Sequence, residues 1–235
     1  MALETEGIIL AAGFSSRAGT FKLELPVGEK TLLERVIEGM TTVCSRIIVV
    51  AGHQAERVSR ITRVYPTVEV VFNRFYEQGM FSSVQEGVRQ VRGDLFFIVP
   101  GDHPCIPPGV YRRLKEAAEN SNTGVDVFIP TFKGRKGHPV AMKRPMAVEI
   151  LEEPPHSTLR TVIRRNKSQL VELDHEGILW DIDTMEDYRK YLGASRESTC
   201  IFKLNDTSGV VSTGGNSSTM ENSKCFRNLK PMYIK

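Results

Sequence analysis

The sequence has few cysteines, no long hydrophobic run and no large excess of either charge. Its four cysteines, Cys44, Cys105, Cys200 and Cys225, show neither a Cys-x-x-Cys spacing nor a paired cysteine–histidine cluster. We interpret them as reduced thiols, which excludes a zinc site and a disulfide framework. No apolar stretch approaches the roughly 20 residues that a membrane-spanning helix needs. The acidic N-terminus runs straight into an apolar segment without a signal-peptide pattern, which predicts a cytoplasmic protein with no membrane partner.

The charge distribution argues against nucleic-acid binding by the globular part of the chain. The net charge is +3, but residues 195–235 carry six Lys/Arg against three Asp/Glu, whereas residues 1–194 hold 25 of each sign. Ser, Thr, Asn and Gly make up 18 of the last 41 residues, so this stretch has too little apolar surface to fold alone. We therefore predict one domain over residues 1–194 and a flexible polar tail over residues 195–235.

Apolar runs alternate with amphipathic segments along most of the chain, as in βαβ units. Strands are predicted over residues 7–10, 46–50, 68–72, 94–99, 126–130, 170–173 and 178–182, with another after the glycine-rich turn that begins at 134. Helices are predicted over residues 55–64, 81–91, 107–120, 157–166 and 185–192. A further helix is expected to begin after Thr31, because Thr31 and Glu34 form a capping-box pattern. This order predicts an α/β fold, a doubly wound, mostly parallel sheet flanked by helices.

A loop of small residues follows the first predicted strand. It starts with Leu10, Ala11, Ala12 and Gly13 and contains the cations Arg17 and Lys22. It lacks the spacing of a Walker loop and of a dinucleotide fingerprint. Backbone N–H groups of such a loop can bind phosphate oxygens while Arg and Lys neutralise their charge. A glycine-rich surface turn with two solvated cations is the alternative.

Carboxylates suited to a metal ion follow two other predicted strands. Asp102 comes directly after the strand 94–99, at a Pro-bounded turn, and could hold the Mg²⁺ that a phosphoryl- or nucleotidyl-transfer centre requires. Asp181 and Asp183 alternate on the predicted strand 178–182 and would share one face. Asp102 could instead cap its turn, and Asp183 could cap the helix after it. Because ligands bind beyond the carboxyl ends of parallel strands, residues 13–22, Asn73 and Asp102 are expected along one edge.

Taken together, the motifs resemble the molybdopterin nucleotidyltransferase family. The stretches that carry the likeness are residues 10–17 (Leu-Ala-Ala-Gly-Phe-Ser-Ser-Arg), 100–104 (Pro-Gly-Asp-His-Pro), 135–139 (Arg-Lys-Gly-His-Pro) and 181–187 (Asp-Ile-Asp-Thr-Met-Glu-Asp). Residues 73–83 are similar to the family's segment between the phosphate loop and the metal aspartate. The likeness spans about residues 6–192, and the Leu-Ala-Ala-Gly start is typical of the branch that uses CTP, the molybdenum cofactor cytidylyltransferases.

This resemblance implies a Rossmann-like nucleotide-diphospho-sugar transferase fold and a Mg²⁺-dependent reaction. The terminal phosphate of molybdopterin cofactor would attack the α-phosphate of CTP and release pyrophosphate, and a molybdoenzyme or its chaperone would receive the product. Arg17, Lys22 and Asp102 would be catalytic, with Asp102 and Asp183 as metal ligands. The other implied residues are Leu10, Ala11, Ala12, Gly13, Asn73, Ser82 and Ser83 at the nucleotide, and Gly137 and His138 on the acceptor side.

Two departures from the family pattern leave other substrates open. Ala18 and Phe21 stand where the family usually has Met and Pro, although neither change removes a cation. A related transferase that uses GTP or a sugar phosphate is one alternative. A nucleotide-binding regulator without turnover is another, and the presence of both metal carboxylates argues against it. His138 is the weakest of the implied site residues, because a single histidine near proline is more often structural than functional.

Overall fold

The computed structural model describes residues 2–14, 20–121 and 124–197, and the chain divides into two units, Met1–Asp183 and Thr184–Lys235. The strands of the first unit are β1 (Thr5–Ala11), β2 (Pro26–Val27), β3 (Lys30–Thr31), β4 (Arg46–Ala51), β5 (Val68–Phe72), β6 (Leu95–Pro100), β7 (Val127–Phe132), β8 (Arg135–Lys136), β9 (Val140–Lys143) and β10 (Ser168–Glu172). Its helices are α1 (Leu32–Thr41), α2 (Ala55–Thr62), α3 (Met80–Val88), α4 (Pro108–Glu119), α5 (Pro145–Glu152) and α6 (Leu159–Arg165); the second unit contains α7 (Met185–Glu197). Within these ranges no helix is both long and apolar enough to cross a membrane.

The main sheet is mostly parallel, as predicted, with one antiparallel strand inserted near its middle. Its order is β10-β7-β9-β6-β1-β4-β5, and β8 pairs with β7. Strand β1 runs parallel to both β4 and β6, whereas β9 runs antiparallel to β6 and β7. Because β9 runs in the opposite direction, its first residues lie at the edge where β6 ends.

Each face of the sheet is covered by its own set of helices. Ile9 and Phe97 pack with residues of α1, α2 and α4, whereas their chain neighbours Ile8 and Phe96 pack with residues of α3, α5 and α6. All four side chains are fully buried. Strands that are buried on both faces have continuous apolar sequences, and this is why these strands could be predicted.

The predicted start of helix α1 is confirmed by its capping box. The hydroxyl of Thr31 accepts a hydrogen bond from the backbone N–H of Glu34 at 3.3 Å, and the carboxylate of Glu34 accepts one from the backbone N–H of Thr31 at 2.7 Å. Two N–H groups that a helix leaves unpaired at its first turn are thereby satisfied.

The predicted strand over residues 178–182 is wrong. Residues Glu176–Leu179 form a 3₁₀ turn, and the chain then runs irregularly to Asp183. The carbonyl of Ile178 accepts from the backbone N–H of His138 at 2.8 Å, and the N–H of Ile182 donates to the carbonyl of Asp102 at 3.0 Å. Because these bonds tie the segment to two separate loops, it cannot pair along a strand.

Smaller differences concern helix ends and unpredicted elements. Thr158, not Ser157, is the N-cap of α6. Helix α5 was not predicted, and residues 26–31 form a small hairpin, β2–β3, where only a turn was expected. Helix α7 continues to Glu197, and the remainder of the predicted tail lies outside the described residues, so the proposed domain boundary stays a prediction.

Candidate active site

Strands β1 and β6 end side by side where the strand order of the sheet reverses. The N–H of Gly101 donates to the carbonyl of Leu10 at 2.9 Å, which places Asp102 beside the end of β1. After residues 15–19, which lie outside the described ranges, the chain forms a 3₁₀ turn over Lys22–Glu24. Ligands of open α/β sheets bind at such a switch point, so this edge is the candidate site.

The ammonium group of Lys22 lies between two carboxylates at this edge. Its Nζ is 2.6 Å from Oδ2 of Asp102 and 3.0 Å from Oδ1 of Asp183. The side chains of Lys22, Asp102 and Asp183 are only 14%, 17% and 12% exposed, so solvent screens these ion pairs far less than surface pairs. The fold therefore joins two acidic residues that lie 80 and 161 residues from Lys22 in the sequence.

The ionised carboxylate of Asp102 and the protonated amine of Lys22 stabilise each other in this cluster. Burial raises the pKa of the Asp102 carboxyl, but the hydrogen bond with His103 and the charge of Lys22 outweigh burial and hold that pKa well below its usual range. Burial lowers the pKa of Lys22, yet its two carboxylate partners leave that pKa raised. Lys22 and Asp102 therefore both carry their charges at neutral pH.

Two histidines extend the network beyond Asp102. The Nδ1 atom of His103 is 2.9 Å from Oδ1 of Asp102, and its ring packs edge-to-face against His138 with 4.7 Å between the ring centroids. Burial and the nearby His103 lower the pKa of His138 to about 3, so this imidazole is neutral at physiological pH. No role was predicted for His103, and its place next to Asp102 in the sequence was the one available signal.

Gly137 is held by close packing against the backbone. A Cβ at this position would lie 2.4 Å from the carbonyl oxygen of Ile178 and 2.7 Å from its Cγ1. The N–H of Gly137 also donates to the carbonyl of Pro130 at 2.9 Å. A structural reason for glycine is therefore present here, whether or not an acceptor binds nearby.

Substitution of Gly137 by Ala is expected to destabilise the protein by about 1–3 kcal/mol, because the added methyl group must displace backbone. Chemical denaturation measures this loss directly. The matched control is Gly109→Ala in α4, where an added Cβ meets none of the residues described by the structure within 4 Å and the stability should be unchanged or slightly raised. Equal stability of Gly137→Ala and the wild type would contradict the packing argument.

The first residues of the predicted phosphate loop lie at the end of β1. Ala11 and Ala12 are buried, whereas Gly13 is exposed. A Cβ at Gly13 would meet no atom of the described residues within 4 Å, so their packing does not require glycine there. Arg17, with Ser15 and Ser16, lies outside the described residues, and its predicted role stays a prediction.

Asn73, Ser82 and Ser83 form a buried polar cluster. The side-chain N–H groups of Asn73 donate to the hydroxyl of Ser82 at 2.8 Å and to that of Ser83 at 3.0 Å. Asn73 also accepts from the backbone N–H of Phe75 at 2.9 Å, and the hydroxyl of Ser82 donates to the carbonyl of Phe75 at 2.9 Å. The fold brings these three predicted residues together, and they anchor the loop between β5 and α3.

The two carboxylates that meet at Lys22 are suited to binding a hard cation. Asp102 and Asp183 supply only carboxylate oxygens, which Mg²⁺ prefers, and Mg²⁺ usually takes one or two carboxylates with substrate phosphates and water. Over the part of the chain that the structure describes, no group of three or more His, Cys, Asp or Glu is arranged to hold a metal ion. The pair of aspartates is therefore compatible with a metal shared with a phosphorylated ligand.

Comparison with known proteins decides the family. The MobA-like NTP transferase domain matches residues 7–171. The chain belongs to this family. Membership makes it a nucleotidyltransferase and confirms the predicted relationship to molybdopterin nucleotidyltransferases.

Individual relatives of this MobA-like NTP transferase divide between two nucleotides. It is 28% identical over 181 residues to the molybdenum cofactor cytidylyltransferase of Escherichia coli, covering 77% of this chain and 92% of that protein. It is 27% identical to a "probable molybdenum cofactor guanylyltransferase" of Methanosarcina mazei, covering 81% and 91%. Among solved structures, a nucleotidyl transferase from Methanothermobacter has the same fold, with a TM-score of 0.69 at 23% identity over 83% of this chain and 99% of that one.

Proposed function

We propose that the chain transfers CMP from CTP to the terminal phosphate of molybdopterin cofactor and releases pyrophosphate. The observation that carries this proposal is the convergence of Asp102 and Asp183 on Lys22 at the switch point, directly beyond the small-residue loop that follows β1. Two carboxylates and a buried ammonium group beside a phosphate loop are what nucleotidyl transfer requires. The similarity to a cytidylyltransferase of the molybdenum cofactor supports the choice of nucleotide and acceptor.

In this proposal Asp102 and Asp183 hold Mg²⁺. When bound, the ion would neutralise negative charge on the α-phosphate and on the leaving pyrophosphate. The residues present fit this role by their chemistry, because two carboxylates converge on one position, which the ammonium group of Lys22 occupies in this structure. The pKa of Asp102 is also held low enough for a permanently ionised ligand. His103 would hold the second oxygen of Asp102 in place through its 2.9 Å hydrogen bond.

The remaining steps need positioning and charge, without a general base. The attacking phosphate is already ionised at neutral pH, so no side chain has to remove a proton from it. Backbone N–H groups of residues 10–13 and the cations Arg17 and Lys22 would bind the triphosphate and stabilise the charge that develops on it. Asn73, Ser82 and Ser83 are buried, and they would hold in place the loop that lines the nucleoside end of the site.

The acceptor would enter from the side of β9. Gly137 and His138 precede β9 and lie at the edge where β6 ends, so they flank Asp102 on the side away from β4. His138 is neutral and would contribute shape and not charge. A molybdoenzyme or its chaperone would then receive the product, in the cytoplasm.

A related guanylyltransferase activity is the second candidate, because guanylyltransferases match this chain at nearly the same identity. Thermal stability with CTP, GTP, ATP and UTP, with and without Mg²⁺, separates the two. We expect a Mg²⁺-dependent rise in the melting temperature with CTP, corresponding to about 2.7 kcal/mol at a hundredfold excess over the dissociation constant. A rise with GTP alone would show that GTP, and not CTP, is the nucleotide that the protein binds. No rise with any nucleotide would contradict the proposed function.

A further inference from the structure

Three aromatic rings meet at the same edge of the sheet as Lys22, on the other side of β1. Phe14 follows β1, His53 follows β4, and Tyr76 lies in the loop after β5. The ring centroids are 5.0 Å apart for Phe14 and His53, 5.4 Å for Phe14 and Tyr76, and 6.2 Å for His53 and Tyr76. These distances are typical of interacting aromatic pairs, so the three side chains form one cluster, which we call the aromatic trio.

The aromatic trio keeps apolar surface open to solvent. Phe14 leaves 48% of its surface exposed, and the His53 side chain is exposed as well. Grouped aromatic surface next to a ligand edge is typical of a binding site, because burying it in water-free contact is favourable.

The backbone beneath the aromatic trio is tightly packed. A Cβ at Gly52 would lie 2.7 Å from Cβ of Tyr76 and 2.8 Å from Cβ of Ala12, so the ends of β1 and β4 and the Tyr76 loop are in close contact. The Tyr76 loop is also anchored on both sides by the hydrogen bonds of Asn73 and Ser82 to Phe75. The rings are therefore presented on a pre-organised support, directly beside the start of the phosphate loop.

We propose that the aromatic trio stacks against the nucleobase of the bound nucleoside triphosphate. This inference rests on the proposed function, which places the phosphates at Lys22 and Asp102, over β1 and β6. The base then extends along the edge toward β4 and β5, where Phe14, His53 and Tyr76 lie. Every base has a π-face, so stacking supplies affinity without distinguishing cytosine from guanine. The choice between the two bases falls to hydrogen bonds elsewhere in the site.

The test compares nucleotides with a ligand that has no base. Dissociation constants for CTP, GTP and inorganic tripolyphosphate, each with Mg²⁺, are measured by titration calorimetry on the wild type and Phe14→Ala. We expect Phe14→Ala to bind whichever nucleotide the wild type binds about tenfold more weakly or worse, with tripolyphosphate binding unchanged. His53→Ala should show the same selectivity for nucleotides with a smaller loss.

One control variant accompanies the test. Val148→Ala removes an exposed apolar side chain (59%) on α5, outside the aromatic trio, and should change neither nucleotide nor tripolyphosphate binding. If Phe14→Ala binds nucleotides as tightly as a wild type that does bind them, the aromatic trio has no stacking role and the proposed function stands. An equal loss of tripolyphosphate binding would also overturn the inference, and a wild type that binds no nucleotide would overturn both proposals.

Discussion

Replacement of Asp102 by Asn is expected to lower turnover by at least about 100-fold while the fold is retained. The amide preserves the shape of the side chain and can still accept a hydrogen bond from Lys22 or His103. It removes the negative charge that would hold the metal ion, and preorganised charge at a transferring phosphoryl group commonly contributes two to three orders of magnitude. The measurement is kcat for pyrophosphate release at saturating Mg²⁺, with the melting temperature as the check on folding.

The chain offers a close control in Asp181. This residue lies in the irregular segment that carries Asp183, which is hydrogen-bonded to the loop of Asp102 through Ile182. Burial raises the pKa of the Asp181 carboxyl, and the charges of Asp183 and Asp102 raise it further. Asp181→Asn should retain most of the activity, because the proposed metal site uses Asp102 and Asp183 and not Asp181. Full activity of Asp102→Asn, or equal losses in both variants, would show that Asp102 is not a metal ligand.

Replacement of Lys22 by Met is expected to abolish turnover and to destabilise the protein. The variant loses the cation proposed to bind the triphosphate, and it leaves Asp102 and Asp183 facing each other without the ammonium group that now lies within 3.0 Å of both. Removal of one partner from a largely buried ion network costs about 3–5 kcal/mol. Mg²⁺ should restore part of this loss, because a divalent cation can replace the missing charge.

The stability difference between Lys22→Met and the wild type should shrink as the pH falls. In the wild type the pKa of Asp102 is depressed, so its contribution is fully present above the unfolded value of about 3.9 and is lost on acidification below that value. Without Lys22 a neighbouring carboxylate raises the pKa of Asp102, and the resulting penalty disappears when a proton binds. Denaturation curves between about pH 2 and pH 8 cover both trends, because the wild-type loss falls below the unfolded pKa.

Lys30→Met provides the matched lysine control. Lys30 pairs with Glu38 at 3.2 Å, but its side chain is 36% exposed, and exposed pairs contribute little to stability. Lys30 also donates to the hydroxyl of Tyr65 at 3.3 Å and lies 3.9 Å from a carboxylate oxygen of Glu34, but the same exposed side chain makes these contacts as well. We therefore expect the stability of Lys30→Met to stay close to that of the wild type across the same pH range. If Lys22→Met behaves in the same way, the buried network does not stabilise the fold.

Much of the architecture was predictable because it follows from local sequence. Strands β4 and β6 are continuous apolar runs, as burial on both faces requires, and Thr31 with Glu34 forms the capping box that begins α1. The position of Asp102 followed from the rule that ligand-binding residues come after strands. The failure lay at residues 178–182, where an alternating pattern predicted a strand and long-range hydrogen bonds to His138 and Asp102 decided otherwise.

The sequence by itself determined the family, the parallel sheet and the edge at which polar residues gather. Only the tertiary structure decided which of those residues meet. Lys22 and Asp183 lie 161 residues apart, and Phe14, His53 and Tyr76 come from three separate loops. Contacts between such distant residues depend on the packing of the whole sheet and its loops, and no local periodicity or spacing encodes them.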